Sequence, residues 1–298
     1  MRGLAILALA AAGAGWGVGF PLGKLALAEM PASQMVLLRF ALAAVLAAPF
    51  ALASREARAL FRSWPALAAG AFYGLGFLMQ FEGLARVRIT LAALLVGAMP
   101  ALIAVCARLM GERLNRLVWA GVALATAGAA LIAGRPEGAG SPLGIALSVG
   151  SLFVFLGWLI ALKRAPAGPT PLAVPAVTIV VAALTILPVA LVLHGPPKLD
   201  VSPLAWAGVA GQGLFSTLLA TAAWQYGATR VGSATAGVFI NIEPLLGATL
   251  GVLLFGDRLT LGLAAGGAMI LIGSLVVVLG ERAAGAAGLA HDAPATPA

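Results

Sequence analysis

Ten stretches of about twenty residues, each nearly free of charge, follow one another along this chain with only short breaks between them. They lie near 3–28, 33–52, 66–85, 90–109, 115–134, 142–162, 172–193, 204–227, 232–255 and 259–280. As an α-helix, a stretch of that length crosses the roughly 30 Å hydrocarbon core of a bilayer. The breaks carry charge, Pro or Gly, as in SREARALFRSWP, GRPEGAGSP, HGPPKLDVSP and GDRLT. A membrane β-barrel would show alternation over segments of about ten residues instead, and none is visible. Of the 298 residues 62% are hydrophobic and 9% charged, against about 25% charged in a soluble domain. A water-soluble fold of this size could not hide so much apolar surface, so a soluble enzyme is excluded. The sequence predicts an all-α integral membrane protein in a lipid bilayer. Breaks this short leave no room for a soluble catalytic domain.

The net charge of +8 would suggest nucleic acid on a soluble protein. In a multi-pass chain it reports orientation, because Lys and Arg collect in cytoplasmic loops. Ten spans place both termini on one side. With that side inside, the inner segments hold Arg2, Arg55, Arg58, Arg62, Arg108, Arg113, Arg116, Lys163, Arg164, Arg230 and Arg282. The outer ones hold only Arg86, Arg88, Arg135, Lys198 and Arg258, and Lys24 and Arg39 fall within spans. The bias predicts cytoplasmic termini in a cell inner membrane, with no nucleic-acid partner. Cys106 is the single cysteine and reads as a small packed hydrophobe. His194 and His291, the two histidines, lie outside the spans. Catalytic residues, a metal and a cofactor are therefore not expected. The run GAGWGVGFPLGKL fails as a nucleotide motif, since Val18, Phe20 and Leu25 stand where Gly or Ser/Thr is required. The N-terminal MRGLAILALAAAGAG has signal-peptide features, but the apolar run continues to Leu27 and reads as the first span. Residues 284–298 lack periodicity and read as a disordered tail.

Self-comparison reveals a repeat. Residues 111–133, GERLNRLVWAGVALATAGAALIA, align without gaps 145 positions on with GDRLTLGLAAGGAMILIGSLVVV. Gly111, Arg113, Leu114, Gly121, Ala123 and Gly128 recur as Gly256, Arg258, Leu259, Gly266, Ala268 and Gly273. Upstream, at an offset of 144, Arg86-Val87 and Pro100 meet Arg230-Val231 and Pro244. Each half holds five spans, an odd number, so the halves are inverted relative to one another. Residues 1–134 form the first repeat and 142–282 the second. Inverted repeats meeting around a midplane site recur among secondary transporters.

The second half reads WQYGATRVGSATAGVFINIEPLLGATLGVLLFGDRLT before a Gly-rich last span. With Glu243-Pro244 in a helix and the turn Gly256-Asp257-Arg258-Leu259, it resembles the EamA-like branch of the drug/metabolite transporter superfamily. Gly111-Glu112-Arg113-Leu114 matches the same turn in the first half, where Met99-Pro100 keeps only the proline. Trp16-Gly17, Lys24 and Arg39 fit the family's first two helices. The resemblance implies ten transmembrane helices as two inverted five-helix repeats, with a cavity drawn from spans 1, 3, 4, 6, 8 and 9. It also implies export of small metabolites, most often amino acids including aromatic ones, by alternating access. A sugar-phosphate, nucleotide-sugar or organic-cation exchanger of the same superfamily is the alternative. A membrane-embedded enzyme or lipid-handling protein would need a cluster of His, Asp and Glu that the sequence lacks.

Ionisable groups within spans are functional candidates because each is costly unless paired or wet. Glu243 has two readings: a site for a substrate amine or a proton, or a carboxylate tying helices together through Lys24 or Arg39. Lys24 and Arg39 either recognise a substrate carboxylate or act structurally, Lys24 with Glu29 as an easy partner. Pro100 and Pro244 are matched kinks, fit for a hinge or for static shaping of the cavity. The carbonyls they free, near Val96 and Ile240, are placed to face a polar cavity. Trp16, Phe20, Tyr73, Gln80, Trp158, Gln212, Ser216 and Asn241 complete the candidate lining for a small-molecule substrate. Trp64, Trp119 and Trp206, near span ends, read as interface anchors. Nothing in the sequence fixes the oligomeric state.

Overall fold

Lipid offers no partner to a free backbone N–H or C=O, so an Ala- and Leu-rich apolar chain satisfies itself as helix. A computed structural model describes residues 2–109, 111, 114–133, 140–170, 172–231, 236 and 239–291. Among these there is no strand, only an isolated bridge between Val87 and Gly140. The main helices are α1 (Arg2–Leu27), α2 (Ala32–Leu52), α3 (Trp64–Leu84), α4 in two pieces (Ile89–Val96 and Met99–Leu109) and α5 (Arg116–Ala133). The second half supplies α6 (Pro142–Arg164), α7 (Ala173–His194), α8 (Pro203–Ala228), α9 (Ile242–Phe255) and α10 (Leu261–His291). Among the described residues seven helices are long and apolar enough to cross a membrane: α1, α2, α4, α6, α7, α8 and α10. Helices α5 and α9 are apolar but shorter. Helix α3 has 21 residues, as α2 does, but carries Tyr73, Gln80 and Glu82.

Local chemistry sets the ends. Ser141 and Ser202 cap α6 and α8 by accepting from Gly144 N and Ala205 N, each with Pro next in sequence. Gly111 and Gly256, the first residues of the repeated turn, have φ of 97° and 65°. That left-handed conformation stops a helix and favours glycine, which explains the residue at both positions. Asp257, next along, accepts from Thr90 N at 2.8 Å and Thr90 Oγ1 at 2.9 Å, so it caps the start of α4. Its counterpart Glu112, with Arg113, lies outside the described residues.

Most of the extensive helix contacts, though not α3–α7 and α1–α9, exchange among themselves under a shift of five. The extensive pairs are α5–α10, α3–α6, α2–α7, α3–α7, α1–α8, α1–α9 and α4–α9. Shifting each label by five turns α3–α6 into α8–α1, and α5–α10, α2–α7 and α4–α9 into themselves. Repeat-matched glycines meet at the α5–α10 contact. A methyl group on Gly121 would stand 2.6 Å from Gly273 O, and one on Gly128 would stand 2.5 Å from Gly266 O. In the repeat Gly121 corresponds to Gly266 and Gly128 to Gly273, so each contact is the other's mate.

Several sequence expectations are corrected. The helix of span 4 is broken rather than kinked: Pro100 stands in the first turn of Met99–Leu109, after the turn at Gly97–Ala98. Proline has no N–H to offer Val96, and Ser274 Oγ of α10 donates to the Gly97 carbonyl at the break. Pro244 likewise sits in the first turn of α9, preceded by a turn at Asn241. Residues 55–62, expected as a simple break, form a short helical turn capped by Ser54 Oγ, which accepts from Ala57 N at 3.1 Å. The backbone of α10 is helical to His291, past the start of the expected tail at 284; alanine, the best helix former, dominates that stretch. Residues 292–298 of the tail lie outside the described residues.

Candidate functional site

Six helices, α1, α3, α4, α6, α8 and α9, surround a central cavity of about 70 Å³, room for several water molecules. They are the six spans from which the resemblance draws a cavity. The walls are aromatic: Trp16, Tyr73, Phe77, Phe155, Trp158 and Trp224. Tyr73, Phe77, Phe155 and Trp158 touch in a chain, with centroids 4.8 Å apart for Tyr73–Trp158 and 4.9 Å for both Tyr73–Phe77 and Phe77–Phe155, while Trp16 and Trp224 form a separate pair at 5.5 Å. Gln80 and Glu243 are the polar lining groups besides the aromatic N–H and O–H. Val96 and Ile240, the residues four before the two prolines, both line it, as does Met99, the repeat partner of Glu243.

A second, smaller gap of about 10 Å³ adjoins the first and shares Trp16, Phe77, Gln80 and Glu243 with it. Gly19, Phe20, Arg39, Phe81, Gln212 and Ser216 complete its wall. Arg39 is fully buried. Its Nε donates to Thr217 Oγ1 at 3.0 Å, and its guanidinium carbon lies 4.2 Å from the Phe77 ring centre and 5.1 Å from that of Phe81. Both terminal nitrogens are buried without a hydrogen-bond partner among the described residues, as are Nε1 of Trp16 and of Trp158.

Eight of the ten sequence-derived lining candidates border one or both cavities: Trp16, Phe20, Tyr73, Gln80, Trp158, Gln212, Ser216 and Glu243. Lys24 and Asn241 do not. Lys24 Nζ donates to the carbonyls of Leu84 at 2.9 Å and Val87 at 3.1 Å, closing the open C-terminal end of α3. The expected Glu29 pairing is replaced too, because Glu29 accepts from Ser202 N at 2.8 Å and from its hydroxyl. Asn241 stands in the turn before α9 with its Oδ1 buried and unpartnered among the described residues. Glu243 forms no ion pair with Lys24 or Arg39. Trp64, Trp119 and Trp206 are exposed on the outside of the bundle.

Sequence reasoning missed Phe77, Phe155 and Trp224 as lining, since an aromatic residue in an apolar run carries no mark of the face it takes. It also missed the shape of α8. Residues Gln212–Leu219 form a π-helix, the wider turn that often accompanies functional sites. The widening brings positions five apart towards one face. Gln212 Nε2 donates to Gly19 O, Ser216 Oγ to Gly15 O at 2.6 Å, and Thr217 Oγ1 to Gln212 O at 3.0 Å while accepting from Arg39. Helix α1 admits this contact because Gly15 and Gly19 face α8, while Gly13 and Gly17 face α9.

Both halves, residues 3–134 and 142–279, match the EamA-like transporter family. The chain belongs to that family. It is thus a multi-pass membrane protein of a family of transporters. A probable biotin transporter of Pseudomonas aeruginosa is 34% identical over 102 residues, 34% of this chain and 36% of the relative. The match therefore spans about a third of that relative's length. A protein of known crystal structure superposes with a TM-score of 0.66 at 23% identity, covering 95% of this chain and 99% of the other. That likeness shows the fold.

Proposed function

We propose that this EamA-like protein is a secondary transporter that exports small metabolites, most of all amino acids including aromatic ones, across the cell inner membrane. The observation that carries the reading is the central cavity. It is walled by aromatic rings and has Glu243 as the one carboxylate among its described lining residues, a partner for a substrate amine. In this reading all ten helices cross the bilayer, both termini are cytoplasmic, and residues 1–134 and 142–282 are inverted repeats. The exchange of most packing partners under a shift of five and the crossed glycine contacts support that symmetry. Alternating access moves one half against the other, with the breaks at Gly97–Ala98 before Pro100 and at Asn241 before Pro244 as hinges.

The test is counterflow in proteoliposomes loaded with single unlabelled amino acids, following entry of labelled tryptophan, phenylalanine or threonine. Accumulation that vanishes without internal substrate is the expected result. No accumulation across the panel refutes the amino-acid reading. The likeness to a probable biotin transporter favours a second substrate, a carboxylate-bearing heterocycle such as biotin, and labelled biotin in the same vesicles separates the two.

A further inference from the structure

A guanidinium within a bilayer is costly unless its N–H groups are satisfied or it meets an anion. Arg39 has neither for most of its donors. Its Nε is satisfied by Thr217, but both terminal nitrogens are buried and unpartnered among the described residues. No carboxylate lies within ion-pair distance of it; the salt bridge formed among the described residues is Arg86–Glu82. Phe40, Phe77 and Phe81 pack around the guanidinium and fix its position. Such ring contacts leave the N–H edge unsatisfied. The residue borders a gap of about 10 Å³, the space of one water-sized atom. The indole of Trp16 borders the same gap, and its Nε1–H is likewise buried and unpartnered. Guanidinium and indole N–H groups are donors only. A free acceptor satisfies them, and the planar fork of Arg matches a carboxylate through two parallel hydrogen bonds.

We propose that Arg39 is the residue that binds the carboxylate of the transported molecule, with the Trp16 indole as a second donor. Arg39 then selects carboxylic acids over their amides, while Glu243, on the wall shared by both cavities, is left for the cationic end of a zwitterion. The inference deepens the transport reading and rests on it for its biological meaning.

The probes are phenylacetate and its near-isosteric amide, phenylacetamide. Binding to the full chain in lipid nanodiscs is followed by quenching of tryptophan fluorescence, since Trp16, Trp158 and Trp224 line the cavity, and by thermal shift. The acid should bind about 10- to 100-fold more tightly than the amide, the range of a hydrogen bond to a charged group. Arg39→Gln should erase that preference, leaving both probes weak and equal. Arg39→Lys keeps the charge, loses the fork and should retain part of it. Equal binding of acid and amide by the unmodified protein, or no binding of either, overturns the proposal and points to Glu243 as the partner of Arg39 through water. An acid preference undiminished in Arg39→Gln also overturns it. Should Arg39→Gln fail to fold, the comparison in the unmodified protein and the Arg39→Lys variant decide. Acid preference without amino-acid counterflow would sink the amino-acid reading and leave the carboxylate site standing. Counterflow without acid preference would do the reverse.

Discussion

Helices α5 and α10 approach so closely that substitution of Gly128 by alanine has a calculable consequence. The added methyl would stand 2.5 Å from Gly266 O, 2.8 Å from Met269 Cβ and 2.9 Å from Ile270 N. Ordinary contact begins near 3.4 Å, so the α10 backbone must retreat by nearly 1 Å. Two of the three obstacles are backbone atoms, which no rotamer change can move. Overpacking of this kind costs about 1–3 kcal/mol, and the better helix propensity of alanine returns up to about 1 kcal/mol. A net loss of about 1–2 kcal/mol is expected, read as a fall in thermal unfolding temperature in nanodiscs. Gly3→Ala, with nothing within 4 Å, is the control and should leave the transition unchanged or slightly raised. A double-mutant cycle sharpens the test. Gly128→Ala and Gly266→Ala open one and the same contact, so together they should cost less than their sum. Gly128→Ala and Gly121→Ala act two turns apart and should add more nearly. Gly128→Ala behaving like Gly3→Ala, or full additivity at the shared contact, would refute the close-approach argument.

Three further outcomes are expected. Asp257→Ala removes the Oδ2 that accepts from both Thr90 N and Thr90 Oγ1 and should destabilise by about 1–3 kcal/mol, with faster hydrogen exchange in the first turn of α4; Asp257→Asn should cost less. Lys24→Met loses the bonds to Leu84 and Val87 and should lower the unfolding temperature while leaving the acid-over-amide preference intact, in contrast to Arg39→Gln. Glu29 is held below its ordinary 4.5 by the side-chain and backbone hydrogen bonds from Ser202. A depressed carboxylate contributes stability above its unfolded pKa and loses it as pH falls through the folded value. Protection of the Ser202 and Ala205 amides, taken against their intrinsic exchange rates at each pH, should therefore fall below about pH 4.5, and Glu29→Gln should abolish that pH dependence.

The positions of the helices were largely legible because bilayer thickness imposes a length that hydropathy reveals. Spans read at 33–52 and 142–162 became Ala32–Leu52 and Pro142–Arg164. Which face of each helix turns inward was not legible. Lipid and protein interior are both apolar, so Phe72 and Phe77 look alike in sequence although Phe72 is exposed and Phe77 lines the cavity. Charged residues gave a partial signal. Glu243 was marked by its cost within a span, yet Lys24 carried the same mark and proved to serve carbonyl groups at a helix end. Arg39 lay open between a structural and a recognition role, and its two unsatisfied nitrogens are what the carboxylate proposal rests on. The wide turn in α8 has no sequence signature, since it is fixed by Thr217 and Gln212 bonding each other and their neighbours.

That wide turn makes the length of α8 a quantity under constraint. A deletion between Gln212 and Leu219 that restored an ordinary α-helix would leave hydropathy and span length almost unchanged. It would, however, break the wide turn from which Gln212, Ser216 and Thr217 together reach Gly19, Gly15 and Arg39 at the cavity wall. Descendants of this chain can therefore exchange apolar residues along α8 with ease, but insertions and deletions within these eight residues alter the chemistry of the cavity wall while leaving the helix able to enter the membrane.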